Sequence, residues 1–373
     1  MALSIFIDAL PYNEVVANYQ SYFPDAQLSE LLPNIAYSSS LHWQLYCNQY
    51  PDERGVLVDW VKERESKRSV QILATLLAPF DRYSNFGLLA RKVLDRVIYR
   101  KHTFANIPFR FRKLFSQKGC YLFWNERTYR AAPIFDSYTV ISQDEGHKTL
   151  DATLDLLHAA IDRGDRNIFA VFGFADAEGH RCRRGELYSQ RLKPGMDALL
   201  AAVRAYAEKN PQEEILLLSD HGMSTVERKV DLELEKHFGR QKNSTYIAYM
   251  DTAVMCIWSK NEALTAEIAS YLQTRQEGHL LTPEDRKFFG ATNPKFGDLI
   301  YILREGNVFA NNWFGKSIKK PRPEGSGMHG FWPEREAKDQ MACIWLINGK
   351  RKLLPESNYP YAHQIITEVM KGM

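Results

Sequence analysis

Metal-binding side chains follow strand-like runs of this sequence, and the clearest case is the stretch 214–223. Its apolar run Ile215–Leu218 leads, after one serine, into Asp220 and His221. Four unbroken apolar residues are typical of a strand buried on both faces of a parallel sheet. Gly222 is expected to let the backbone turn sharply after them. Because open parallel sheets carry their chemistry beyond the carboxyl ends of their strands, this point is predicted to be an active-site edge.

Similar residues occur at three other places in the chain. The strand-like runs Leu3–Ile7 and 167–174 also lead into carboxylates, and a glycine-rich loop at 324–330, predicted to be flexible, presents a histidine. One such residue alone is more often a helix cap or a structural side chain. Together they form a set of six candidate metal ligands: Asp8, Asp176, His180, Asp220, His221 and His329.

The chemistry of this set follows from its charge and donor types. Three strands would each bring a carboxylate to one sheet edge, where the negative charges repel unless cations offset them. Mixed aspartate and histidine donors suit zinc, and manganese fits the same donors. Six donors divide into two sites of three, each open to a further oxygen. Two such metals can hold both the attacking and the leaving oxygen of a phosphoryl displacement.

The elements around these residues indicate an α/β fold. Helical spacing of apolar residues predicts an amphipathic helix at 148–163, and a second helix at 185–209 is predicted in two pieces around Pro194. Helices that alternate with buried strands are typical of a doubly wound, mostly parallel sheet between helices. The run 341–347 is expected to complete this sheet, and 362–370 to form a terminal helix.

A more mixed block lies between the last two ligand motifs. The runs 246–258 and 298–303 are predicted strands, and 262–275 is a predicted helix. We therefore expect a small α+β cap subdomain at about residues 230–325.

The segment 62–118 is strongly basic, and we place it in a mostly helical insertion at 62–130. It contains fourteen Lys and Arg residues against four Asp and Glu residues, with aromatic residues among the charges at 104–115. Three interpretations stay open. The segment is a docked helical excursion with solvated charges, a lid that attracts an anionic substrate, or a surface for an anionic membrane or partner.

Composition is ordinary for a soluble globular protein of 373 residues, with 45% hydrophobic and 25% charged residues. A net charge of +3 suits small anionic ligands without requiring nucleic acid. The five scattered cysteines fit reduced thiols better than a disulfide framework. No run is long and apolar enough for a transmembrane segment, and the amino terminus lacks a basic leader. These features predict a cytoplasmic protein.

Motifs occur along the chain in the following order: Asp8, a serine run before His42, 50–55, 176–180, 219–223, 249–258 and 327–330. Taken together, these motifs resemble those of the alkaline phosphatase superfamily, and most closely its type I phosphodiesterase/nucleotide pyrophosphatase branch. The resemblance covers nearly the whole chain apart from the basic insertion, and implies a single alkaline-phosphatase-like catalytic domain at 1–373. It also implies two divalent metal ions, with zinc favoured: one held by Asp176, His180 and His329, the other by Asp8, Asp220 and His221.

The resemblance also implies a serine nucleophile. Counting back from His42 and Gly55 places it at Ser38, with Ser39 and Ser40 as neighbours one register away. Attack by this hydroxyl on phosphorus would give a phosphoseryl intermediate. A helix cap or a polar loop is the alternative interpretation of three consecutive serines.

Two departures from the family pattern concern the substrate. Where the nucleotide-cleaving branch has an asparagine that donates to phosphate, this chain has Asp59, beside Trp60. An ionised carboxylate cannot donate that bond. The Phe-Pro-Asn that follows the family's nucleophile is also absent. We retain Asp59 and Trp60 as candidate substrate contacts. No sulfatase signature is present in the sequence.

These observations predict a phosphohydrolase with two metals that cleaves a phosphodiester or pyrophosphate in a small anionic substrate. A phosphomonoesterase or phosphonate hydrolase of the same superfamily is the alternative. An inactive phosphatase-like protein, binding a membrane or partner through 62–118, is a third hypothesis.

Overall fold

The computed structural model describes residues 3–36, 44, 49–58, 60–64, 68–82, 89, 93, 107–117, 136–143, 149–182, 185–310, 313, 325–349 and 361–362. The chain forms two compact units. The first comprises Met1–Gln49, Tyr121–Thr225 and Gly325–Met373, and the second comprises Tyr50–Cys120 and Val226–Glu324. The predicted helix at 362–370 and most of the predicted insertion lie outside the described residues.

The regular elements of the described residues are numbered here in chain order. The strands are β1 (Leu3–Ile7), β2 (Gln27–Leu31), β3 (Trp60–Val61), β4 (Ser116–Gln117), β5 (Thr139–Ser142), β6 (Ile168–Phe172), β7 (Ile215–Leu218), β8 (Ser224–Thr225), β9 (Arg228–Val230), β10 (Tyr246–Asp251), β11 (Val254–Ser259), β12 (Gly278–Leu280), β13 (Leu299–Leu303), β14 (Asn307–Phe309), β15 (Gly327–Met328) and β16 (Ala342–Ile347). The α-helices are α1 (Tyr12–Asn18), α2 (Pro51–Arg54), α3 (Arg68–Leu77), α4 (Phe109–Arg112), α5 (Leu150–Arg163), α6 (Phe174–Gly179), α7 (Glu186–Lys209), α8 (Leu234–Phe238), α9 (Glu262–Gln273) and α10 (Pro283–Phe288). Short 3₁₀ turns lie at Gln20–Tyr22, Ala78–Arg82, Pro294–Phe296 and Lys338–Gln340.

The first unit is built on a mostly parallel sheet, as predicted. Its strand order is β2-β16-β7-β1-β6-β5, and β7, β1, β6 and β5 run parallel. Strand β16 is antiparallel to both of its neighbours. Every residue of β1, β6 and β7 is buried, which explains their unbroken apolar sequences. Because β1 lies between β7 and β6, the residues that follow these three strands meet at one edge of the sheet.

Helices α5 and α7 cover this sheet with apolar faces. Thr149 caps α5 by accepting a hydrogen bond from the amide of Ala152, and Gly164 ends it with φ +74°. The core gathers side chains from these helices and from the inner strands, including Leu157, Leu192 and Leu199.

Helix α7 is continuous for 24 residues, so the prediction of two pieces was wrong. Pro194 removes one backbone donor inside it, but the helix passes through. A Cβ atom on the next residue, Gly195, would come within 2.8 Å of Leu150 and 2.9 Å of Phe174. Close packing of α7 on α5 and α6 at this point therefore favours an unbroken helix over the break that proline alone suggests.

The second unit contains an antiparallel sheet of order β10-β11-β13-β12, with α9 packed on it. The run 246–258, predicted as one strand, is a hairpin of β10 and β11. Thr252 makes the turn with a φ of 48°. No glycine or proline marks this turn, which is why the run was predicted as one strand. This unit draws residues from both the predicted insertion and the predicted cap subdomain, whose boundaries stay predictions.

Candidate metal centre

The carboxyl ends of the three central strands bring the predicted ligands together in the first unit. Asp8 follows β1 directly, and Asp220 follows β7 after Ser219. Asp176 lies on α6, which begins two residues after β6. The six predicted residues form two groups, and within each group one possible ligand atom per residue lies within 4.8 Å of the others.

The first group consists of Asp8, Asp220 and His221. The Nε2 atom of His221 lies 3.5 Å from Oδ1 of Asp8 and 3.3 Å from Oδ2 of Asp220. Both aspartates are fully buried, and the histidine is 5% exposed. The other ring nitrogen, Nδ1, is 2.8 Å from the carbonyl oxygen of Gly222. Because a carbonyl only accepts, Nδ1 carries the proton and Nε2 presents its lone pair to the carboxylates.

The second group consists of Asp176, His180 and His329. Oδ1 of Asp176 is 3.1 Å from Nε2 of His180 and 3.6 Å from Nε2 of His329. The aspartate and His180 are four residues apart at the end of α6, so they share one face. His180 Nδ1 lies 3.1 Å from the carbonyl oxygen of Gly327, so Nδ1 again carries the proton and Nε2 faces the carboxylate of Asp176.

The two groups adjoin through their histidines. The rings of His221 and His329, one from each group, stack with centroids 3.9 Å apart and planes inclined by 12°. The ring of His180 lies 5.2 Å from that of His329. The two groups of three donors therefore form one continuous site, joined where His221 of the first group stacks on His329 of the second.

Electrostatics favour the protonation states that metal ligands require. Burial alone would raise the pKa of Asp176, but His180, His329 and His221 together lower it below the ordinary value. Burial lowers the pKa of His329 well below 6.5, and the neighbouring His221 lowers it further. Asp176 is thus ionised and His329 neutral near pH 7, so neither has to lose a proton before it binds a metal ion.

The donor set fits divalent cations. Asp176 Oδ1 is buried, and no described donor makes a hydrogen bond to it. Asp8 and Asp220 lie beside the same imidazole in a fully buried position, where two carboxylates repel each other unless a cation is present. Aspartate oxygens with imidazole nitrogens are typical ligands of zinc and of manganese.

A family comparison agrees with this geometry. The model of the type I phosphodiesterase / nucleotide pyrophosphatase family matches residues 101–332. The chain belongs to this family. The prediction of the alkaline phosphatase superfamily and of this branch is thereby confirmed, and the protein is an enzyme of phosphoester hydrolysis.

Solved structures share the fold of this phosphodiesterase family member at low identity. Human ectonucleotide pyrophosphatase/phosphodiesterase 5 is 9% identical, with a TM-score of 0.58 over 99% of each chain. The murine protein is 11% identical, with a TM-score of 0.56 over 93% of this chain and 88% of its own. Phosphonoacetate hydrolase from Sinorhizobium meliloti 1021, in complex with phosphonoacetate, is 12% identical, with a TM-score of 0.58 over 99% of this chain and 95% of its own. A search of curated protein sequences found no match.

Close backbone approaches hold the ligands of this phosphodiesterase family member in place. A Cβ atom on Gly222 would lie 2.2 Å from the carbonyl oxygen of Asp339. The amide of Gly222 also donates to the carbonyl of Gln340 at 2.8 Å. Gly222 does not have a positive φ, so its role is close contact rather than the sharp turn that the sequence suggested.

The segment before His329 is more regular than predicted. Gly327 and Met328 form β15, which pairs antiparallel with β8. A Cβ on Gly327 would lie 2.1 Å from the carbonyl oxygen of Gly179. His329 is therefore presented by a paired strand, and the expectation of a flexible loop was wrong at these residues.

Sequence reasoning missed Ser219 as part of this site. Its hydroxyl donates to the carbonyl of Leu10 at 2.8 Å and accepts from the amide of Cys343 at 2.9 Å. It thus joins the segment after β1 to β7 and β16 directly beside Asp220. A hydroxyl at the end of an all-apolar strand was the available signal.

The other three predicted site residues are Ser38, Asp59 and Trp60. Ser38 and Asp59 lie outside the described residues. Trp60 belongs to the second unit, where its side chain is 2% exposed and the guanidinium of Arg112 lies 4.3 Å from its ring. A substrate contact by Trp60 stays a prediction.

No helix in the described part of the chain is both long and apolar enough to cross a membrane.

Proposed function

We propose that this enzyme is a phosphohydrolase with two divalent metal ions that cleaves a phosphodiester or pyrophosphate bond. The observation that carries the proposal is the pair of three-donor groups at one sheet edge. Asp176, His180 and His329 would hold one ion, and Asp8, Asp220 and His221 the other. Zinc is favoured by the donor set, with manganese as the alternative. When bound, the two ions supply positive charge to phosphoryl oxygens and lower the pKa of an attacking hydroxyl group.

The chain's own part in the reaction follows from the residues that orient the ligands. The carbonyls of Gly222 and Gly327 fix the tautomers of His221 and His180, so both rings present Nε2 without rearrangement. Such orienting contacts typically change metal affinity or activity by about 10–100-fold.

Ser38 is the proposed nucleophile. Its Oγ would form a bond to phosphorus while the bond to the leaving-group oxygen breaks, and the hydroxyl proton would pass to solvent. Hydrolysis of the resulting phosphoserine would release the phosphate product and restore the serine. Family motifs support this assignment, and Ser39 and Ser40 are the alternatives.

The proposed substrate is a small anionic phosphoester. An inactive variant of murine ectonucleotide pyrophosphatase/phosphodiesterase 5 was solved in complex with AMP, and the bacterial phosphonoacetate hydrolase in complex with phosphonoformate. In this chain, Asp59 stands where a phosphate-binding asparagine is expected, which disfavours the nucleotide mode. We therefore place a simple diester first and keep a monoester or phosphonate as the second candidate.

We also infer a cytoplasmic location. Cys256 and Cys343 are buried free thiols, and burial raises the pKa of each to about 12. Such thiols fit a reducing compartment. Fluorescence microscopy of a tagged protein in its own cells checks the inference, which export of the chain would contradict.

The activity assay compares substrates and metals in one experiment. Chelator-treated protein is tested against bis-p-nitrophenyl phosphate, p-nitrophenyl phosphate and phosphonoacetate, before and after addition of Zn²⁺ or Mn²⁺. We expect no turnover without metal, and a higher kcat/KM for the diester once metal is restored. Faster monoester or phosphonate cleavage would favour the second candidate. Full turnover in the presence of chelator would contradict the metal mechanism.

A further inference from the structure

Helix α3, in the second unit, exposes apolar side chains on its outer face. Val70 and Ala74 are buried, whereas Ile72 is 52% exposed and Leu76 is 65% exposed. Ile72 and Leu76 are four residues apart and therefore lie on the same face of the helix. Arg68, also exposed, is one turn earlier on that face. We call Arg68, Ile72 and Leu76 the exposed α3 face.

Exposed apolar residues are concentrated in this part of the chain. Among the described residues, eight large apolar side chains are exposed, and four of them fall between positions 72 and 93. Leu89 and Val93 are helical, four positions apart, and 50% and 52% exposed. The other four are spread over the chain: Val16, Leu156, Leu187 and Phe288. Single exposed apolar residues need no explanation, but repeated pairs at helical spacing in one short segment indicate an interaction surface.

Three aromatic residues of this segment, Phe109, Phe111 and Phe115, are buried and are not part of the surface. The sequence 104–115 suggested that phenylalanines among positive charges could contact a membrane. Phe109 and Phe111 are each 3% exposed, and Phe115 is fully buried. The ring of Phe115 packs against Trp258 and Trp313 within the second unit. Among the described residues of this segment, the exposed large apolar side chains are aliphatic, and Ile72 and Leu76 are two of them.

The positive charge of the segment 62–118 favours an anionic partner. Fourteen basic and four acidic residues give 62–118 a net charge of +10, whereas the whole chain carries +3, which leaves −7 on the rest. Arg64 and Arg68 are exposed beside the aliphatic side chains, and Arg64 donates to Oε1 of Gln71 on α3 at 3.4 Å. A surface that joins aliphatic side chains to concentrated positive charge matches an anionic interface.

Two alternatives fit less well. A second copy of this chain would bring two segments of +10 together, and like charges across an interface are repulsive. Helix α3 has ten residues, about half the length that a transmembrane helix requires. Contact with a membrane through α3 would therefore be peripheral.

We propose that the exposed α3 face docks the enzyme on the surface of an anionic phospholipid bilayer. Ile72 and Leu76 enter the boundary between headgroups and acyl chains, and the exposed Arg64 and Arg68 contact the anionic headgroups. This surface belongs to the insertion and uses none of the candidate metal ligands, so docking and catalysis are separable.

The test is vesicle flotation of the full-length protein. Vesicles of phosphatidylcholine alone are compared with vesicles that also contain phosphatidylglycerol, at low and high salt. We expect binding to the anionic vesicles only, weakened by salt. The double substitution Ile72→Ser with Leu76→Ser should lower the partition coefficient at least about tenfold, because two aliphatic side chains no longer enter the bilayer. Arg68→Glu should also lower it, through charge.

The matched control removes two exposed leucines from the first unit, Leu156→Ser with Leu187→Ser, and should bind vesicles as the wild type does. Hydrolysis of bis-p-nitrophenyl phosphate should be unchanged in both double variants, which verifies folding. Equal binding to neutral vesicles, no binding to either kind, or no effect of Ile72→Ser with Leu76→Ser would overturn the proposal. If the wild type does not bind vesicles but self-associates in light scattering, and Ile72→Ser with Leu76→Ser abolishes this self-association, the face binds a second copy of the chain. Binding to an acidic protein but not to vesicles would assign it to a protein partner.

Discussion

At the scale of residues, the site depends on histidines held by backbone carbonyls. His221 is fixed by the carbonyl of its own neighbour Gly222, and His180 by that of Gly327, 147 residues away. Each contact places a proton on Nδ1 and leaves Nε2 directed at a carboxylate. The two histidines therefore need no reorientation to bind a cation.

Loss of one donor should remove one metal ion. His329→Gln should leave the group of Asp8, Asp220 and His221 intact, so about half of the bound metal should remain. We expect kcat/KM to fall by at least about 100-fold, since even orienting residues cost about 10–100-fold. Metal content by mass spectrometry and steady-state kinetics measure both effects. His158→Gln, at an exposed position on α5, is the control and should change neither. Full metal content with full activity in His329→Gln would contradict the ligand assignment.

The nucleophile can be separated from the metal ligands. Ser38→Ala should keep both metals and lose turnover by several orders of magnitude, because no hydroxyl attacks phosphorus. Ser39→Ala and Ser40→Ala should stay active and serve as register controls. Stoichiometry and kinetics are measured on all three variants. If Ser38→Ala keeps full activity and Ser39→Ala or Ser40→Ala loses it, the nucleophile is one or two positions further along the chain.

The six candidate ligands were visible in the sequence, because each follows a strand or lies in a short motif. Their arrangement in two groups came from a family resemblance, and the geometry agrees with it. The contacts that hold these ligands in place could not be predicted from the sequence. The carbonyl of Gly327 and the hydroxyl of Ser219 act across 147 and 124 residues of sequence, and no local pattern records such contacts.

At the scale of elements, lack of space constrains the segment after β7. Gly222→Ala would place a Cβ 2.2 Å from the carbonyl oxygen of Asp339, so the backbone beside His221 must shift. We expect a loss of about 1–3 kcal/mol in the free energy of unfolding, together with weaker metal binding. Thermal unfolding and a metal titration measure the two effects.

Gly164→Ala is the matched control for this change. Gly164 ends α5 with φ +74°, and nothing lies within 4 Å of a Cβ there. The substitution should cost about 1–2 kcal/mol through backbone strain alone and leave metal affinity unchanged. If Gly222→Ala binds metal as tightly as Gly164→Ala does, the turn does not position His221.

Element boundaries show where sequence patterns fail. The buried strands β1, β6 and β7 were predicted because two-sided burial requires unbroken apolar runs. The break predicted at Pro194 did not occur, because packing at Gly195 favours a continuous helix. The hairpin at Thr252 was missed, since its residue types resemble a single strand.

At the scale of the whole molecule, the strand order determines the site. Only when β1 lies between β7 and β6 do Asp8, Asp176 and Asp220 converge. The alternation of helices and strands predicted a parallel sheet, but it did not specify this order. Neither did it show that β16 enters antiparallel between β2 and β7.

Removal of metal should weaken the whole first unit. Asp8 and Asp220 are fully buried beside one imidazole, so a bound cation would reduce the repulsion between the two carboxylates. A ligand that binds only the folded state stabilises it by about 2.7 kcal/mol at a concentration 100 times its Kd. We expect Zn²⁺ to raise the Tm of chelator-treated protein, and Ca²⁺ to do so less. A Tm that is independent of Zn²⁺ would contradict the presence of a site.

A calorimetric titration of Zn²⁺ into metal-free protein measures directly whether the six candidate ligands hold two metal ions. We expect two equivalents for the wild type and one each for Asp8→Asn and Asp176→Asn, with phosphodiesterase activity recovered only when both sites fill. One equivalent or none in the wild type, or full activity before any metal is added, would contradict this expectation.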